Sequence, residues 1–131
     1  MAISTLLARW LSVENAERDA VYGLLGDQAR GASAAMLRRL SGCPARPGCA
    51  ATVDADARSL ARPGSVRILA DTSSTAYSLT GASGVTRVAW SVPGRLPVVQ
   101  CVLVRRNGDA ISGFSVTLLV LSAPIDNTGA C

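Results

Sequence analysis

Histidine is absent from this chain of 131 residues. That removes the commonest general base, the Ser-His and Cys-His nucleophile pairs, and the usual imidazole ligands of zinc and haem. Lysine is absent as well, so all 13 basic residues are Arg. Together with abundant Ala, this suggests a GC-rich bacterial genome. Aromatic residues are scarce at 4%, with Phe114 the single Phe. The core is therefore expected to be aliphatic. Charged residues make up only 17%, and no apolar run reaches membrane-spanning length.

Hydrophobic residues account for 49% of the chain, enough to bury a core and to exclude disorder. The length suits a single domain over 1–131. The net charge of +4 is a weak pull towards anionic partners. The arginines are scattered, adjacent only at Arg38–Arg39 and Arg105–Arg106, and solvated positions outweigh a dedicated phosphate surface.

Four cysteines, Cys43, Cys49, Cys101 and Cys131, allow three pairings. Two prolines and a glycine lie between Cys43 and Cys49, pre-bending that segment into a short loop. This pairs Cys43 with Cys49 and leaves Cys101, in an apolar strand, for the terminal Cys131. The second bridge would pin the tail to a sheet. Disulfides outweigh packed thiols, and zinc comes last, because no Cys-x-x-Cys pair exists and no His completes a site. Disulfides place the chain in an extracytoplasmic compartment. Residues 2–13 lack a basic start and contain Arg9, so they do not read as an export signal. An exported form would have lost its targeting segment.

Residues 3–40 read as helical. Ile3, Leu6, Leu7, Trp10 and Leu11, then Val21, Leu24 and Leu25, recur at three- and four-residue steps, and Met36, Leu37 and Leu40 follow after a slip of phase. Glu14, Glu17, Arg18, Asp19, Asp27 and Arg30 take the opposite face. Gly23, Gly26 and Gly31 weaken the pattern, leaving one bent helix or two, with a stop at Gly42–Pro44. Residues 43–64 read as a disulfide-containing loop with a short helical turn near 54–61. Strands are expected at 65–70, 75–80, 84–92, 98–105 and 115–122, with turns at 71–74, Gly81–Gly84 and Asn107–Asp109. The last strand is the most apolar and is expected at the centre. The fold class is thus α+β: a long N-terminal helix (region 1–42) on an antiparallel sheet of about five strands (region 65–131, with the tail), closed by two disulfides.

Candidate chemistry is thin. Asp54 and Asp56, with Arg58 and Arg62 nearby, could bind a cation or act as acid and base, but a solvated loop is the stronger reading. Asp126-Asn127-Thr128 reads as a turn with an Asx cap. Gly81–Gly84 lies between strands, so it is not a phosphate loop. Tyr77, Trp90 and Arg87 form the one candidate aromatic-basic cluster, outweighed by packing; Trp10 and Tyr22 stand apart. No catalytic set, metal site or cofactor is expected.

The order of elements resembles the soluble part of type IV pilin-like proteins, minor pilins and pseudopilins of secretion or DNA-uptake machines. A long leading helix, the loop CPARPGC, a C-terminal disulfide and the phrase TAYSLTGASGVTRVAWSV followed by CVLVRRNGD carry it. The leader and the apolar membrane segment of such proteins are not in this sequence. The resemblance implies a non-catalytic structural subunit of a pilus-like, secretion or DNA-uptake filament, at the cell surface, secreted or periplasmic. Its helix would pack against other filament subunits, and its full-length form would be membrane-anchored. DNA is a further implied partner, with Arg105 and Arg106 as the first contacts. Two other classes compete. One is a cone-shaped α+β ligand carrier or enzyme, with an apolar pocket holding Asp71 or another carboxylate. The other is a cytosolic partner-binding module with reduced cysteines.

Overall fold

The computed structural model describes residues 2–73, 81–109 and 113–131, with side chains at 15–72, 83–107 and 115–131. The chain is α+β. Helix α1 spans Ala2–Ala29, α2 Ser33–Arg39 and α3 Cys49–Ser59. Strands β1 (Arg67–Ser73), β2 (Gly81–Ser91), β3 (Val98–Asp109) and β4 (Gly113–Leu121) form one antiparallel sheet in the order β1-β2-β3-β4.

A single long helix over 3–40 does not form. The part of α1 with described side chains is 15–29, and two helices replace one at Gly31. Gly31 takes a left-handed φ of +72°. Its N–H donates to the Gln28 carbonyl at 2.9 Å, and the Ala32 N–H donates to the Asp27 carbonyl at 2.9 Å. These two bonds satisfy carbonyls that the helix end would leave bare. The glycine that weakened the helical reading is therefore its stop. The loop expected over 43–64 is also corrected. After a 3-10 turn at Cys43–Ala45, Gly48 (φ +81°) turns the chain into α3, whose first residue is Cys49. The turn pre-bent by proline thus starts a full helix.

Four strands are described rather than five. The strand expected at 75–80 lies outside the described residues. Gly81–Gly84 is not a turn but the start of β2, paired with Asn107–Val104 of β3. Asn107–Asp109 likewise continues β3, opposite Ser115–Gly113 of β4. β4 is at the edge of the sheet, not its centre. Its apolar sequence has another cause: Leu118 forms a bridge with Leu40, and its carbonyl accepts from the Ser41 N–H at 3.0 Å. The segment after α2 covers this edge at Leu118, which pairs part of the backbone that an edge strand otherwise exposes.

The helices pack on one sheet face. Val21, Leu24 and Leu25 of α1, Met36 of α2 and Val53 of α3 meet Val88 and Trp90 of β2, Val102 and Val104 of β3, and Leu118 and Leu121 of β4. Each fully buried Leu or Val contributes about 1.5–3 kcal/mol. Disulfides Cys43–Cys49 and Cys101–Cys131 are both present, with Cα separations of 5.2 and 5.8 Å.

Candidate functional site

Three polar ties are anchored on α1, two of them crossing this apolar layer to the sheet. Glu17, Val21, Leu24 and Gln28 follow helical spacing, so they share the face turned to the sheet. Glu17 is therefore buried, not on the solvent face expected for it. Its Oε2 accepts from Arg106 Nη2 at 2.9 Å, and its Oε1 accepts from Thr86 Oγ1 at 3.5 Å. Both charged side chains are at most 4% exposed.

This corrects the expected role of Arg106. Strand side chains alternate between faces, and Val102 and Val104 point to the helices, so Arg106 does too. Arg105 points the other way and is exposed. The adjacent arginines therefore cannot form one phosphate-contacting surface. Arg106 is an internal ion-pair partner, and Arg105 remains as a lone surface cation.

The second tie is a reciprocal amide pair. Gln28 Nε2 donates to Gln100 Oε1 at 2.8 Å, and Gln100 Nε2 donates to Gln28 Oε1 at 2.9 Å. Trp90 Nε1 donates to the same Gln100 oxygen at 2.9 Å. The second hydrogen of the Gln100 amide goes to the Ser122 carbonyl at 3.0 Å. An amide nitrogen has two hydrogens, so the longer 3.4 Å contact to Asp56 Oδ2 is a shared one. Asp56 comes from α3 and is 2% exposed. Burial pushes its carboxyl up from 3.8 to about 7. The network joins α1, α3, β2, β3 and the chain leaving β4.

Asp54 and Asp56 do not act together. Asp54 pairs with Arg58 one turn along the exposed face of α3, while Asp56 faces the core. Arg62 lies 5.8 Å from the centroid of the Trp90 ring. The third tie is Asp27, also buried rather than solvent-facing. It accepts from Arg39 Nε of α2 at 2.5 Å and from Arg30, the residue after α1.

The opposite sheet face carries the tail. Arg87 Nε donates to the Gly129 carbonyl at 2.8 Å, and its Nη2 donates to the Asn127 carbonyl. Ile125 bridges to Val99, and Cys131 is bonded to Cys101. Asp126 closes a turn, with Thr128 Oγ1 donating to its Oδ2 at 3.3 Å. Arg87 and Trp90 lie on opposite faces, so they form no aromatic-basic cluster, and Tyr77 lies outside the described residues. Asp71 is exposed on β1. Among the described residues, no group of three or more His, Cys, Asp or Glu side chains could hold a metal ion, and no helix is long and apolar enough to cross a membrane.

No family model, no curated protein and no solved structure matches this chain.

Proposed function

We propose that this chain is a non-catalytic structural subunit of an extracytoplasmic filament of the pilus or secretion type, assembled through its N-terminal helix. The supporting observation is how α1 lies on the sheet. Gln28 is tied to Gln100 near the start of β3, and Glu17 to Arg106 near its end. The helix therefore follows β3 in the opposite direction. From Glu17 back to Ala2 the helix rises about 22 Å. From Arg106 to the last residue of β3, Asp109, the strand runs about 10 Å. On this reading the first turns of α1 reach past the end of β3, where neighbouring subunits would pack. Two disulfides suit a domain that works in an oxidising medium, and they count against the cytosolic module. Exposure of Asp71 counts against an acidic pocket built on that residue. With Arg106 in the interior, DNA contact is not carried into this proposal.

The test is photo-crosslinking from benzoylphenylalanine placed at Leu7 or Leu11, in cells of the source organism. A ladder of crosslinked filament subunits at the cell surface is expected. Monomer alone from both positions, with the protein exported and its disulfides formed, would overturn the reading.

A further inference from the structure

Asp27 holds two guanidiniums, Arg39 of α2 and Arg30 just past α1, in the lining of a cleft of about 380 Å³ with Tyr22, Gly23, Gly26 and Ser65 among others. The carboxylate is 4% exposed, whereas Arg30 and Arg39 are 68% and 45% exposed. One buried negative charge thus fixes two positive ones and leaves the cluster at +1. Arg39 uses Nε towards Asp27, so both of its Nη groups keep donors. Arg30 uses Nη2, so its Nε and Nη1 keep theirs. Gly23 permits this arrangement, since a Cβ there would stand 2.7 Å from Arg39 Nη1. A second cleft adjoins through Tyr22 and Val66 and adds Arg18 and Arg67 against Asp19.

We propose that this cleft binds a terminal phosphoryl group, as in a phosphomonoester or pyrophosphate. A terminal phosphoryl offers three oxygens and up to two charges, which the remaining donors of Arg30 and Arg39 can share. A structural staple would need only one arginine on Asp27, and the second leaves the excess charge at the opening. The cleft volume falls in the range of small-ligand sites, with room for the group that carries the phosphate. The proposal stands independently of the filament reading.

The experiment is calorimetric titration of the whole chain with pyrophosphate at low ionic strength, pH 7. Saturable binding is expected. Gly23→Ala keeps the net charge but displaces the Arg39 guanidinium, and it is expected to weaken binding about tenfold or more, the loss of one charge-assisted contact. Arg30→Gln, at an exposed position, is expected to do the same, and it decides the matter if Gly23→Ala fails to fold. Arg58→Gln, on α3, is expected to leave affinity unchanged. Absence of saturable binding, equal affinity for citrate, equal affinity for an oligothymidylate bearing only internal diesters, or undiminished binding by folded Arg30→Gln would each overturn the proposal.

Discussion

Glu17 and Asp27 sit ten residues apart on one helix, and both carboxylates are buried against arginine. Their partners differ. Arg106 is 2% exposed, while Arg30 and Arg39 stand largely in solvent. A cation removed from water cannot fall back on solvent, so Glu17–Arg106 fixes the seating of α1 on β3. A cation at the surface keeps donors free, so the Asp27 end can present charge to something else. Asp56 adds a third case, a buried carboxyl facing the Gln100 amide instead of a guanidinium.

The largest expected effect separates the first two. Glu17→Ala removes an anion paired with the buried Arg106 and should cost about 3–5 kcal/mol, measured by urea denaturation. Replacing both residues by leucine should recover most of that loss, because two desolvated charges are removed together. Arg39→Ala should cost less, about 1–2 kcal/mol, since Arg30 still neutralises Asp27 and water reaches the gap. Equal losses for Glu17→Ala and Arg39→Ala would erase the distinction drawn between the two ends.

A separate effect, visible only across pH, concerns Asp56. Its native carboxyl titrates near 7, against 3.8 for an unperturbed one. Between those values the native state holds a proton that the unfolded chain has released. This contribution is therefore full below about pH 4, declines as pH rises, and levels off above about 7. Asp56→Asn should remove that slope. Subtracting the variant's denaturation midpoints from those of the wild type, from pH 4 to 8, should leave a falling curve. A flat difference would show that Asp56 titrates normally in the native state. The smallest effect is expected at Arg58, paired with Asp54 on the exposed side of α3. Arg58→Ala should stay within about 0.5 kcal/mol by the same assay.

Both disulfides were legible, because proline and glycine between Cys43 and Cys49 favour local closure and leave one remaining pair. The meander was legible from short connections. The ion pair Glu17–Arg106 was partly legible: Glu17 is in phase with Val21 and Leu24, and Arg106 is in phase with Val102 and Val104. Charge had been read as a mark of the solvent face, and that rule hid the phase. α3 was hidden because Asp54, Asp56 and Arg58 made the segment look like loop. Only the buried side of that helix explains Val53 and Ala57. The edge position of β4 was illegible, since an apolar strand covered by a neighbouring segment reads like a central one.

Local chemistry alone dictated the compartmental signature, the proline-bent disulfide loop, the alternating strands and the lack of imidazole. Those follow from residue type and near-neighbour spacing. The seating of α1 was decided only in three dimensions. Gln28 and Gln100 are 72 residues apart, and Glu17 and Arg106 are 89. Whether a charge so placed is an internal strut or an open hook depends on what the rest of the chain folds over it, because desolvation is a property of the surroundings rather than of the residue.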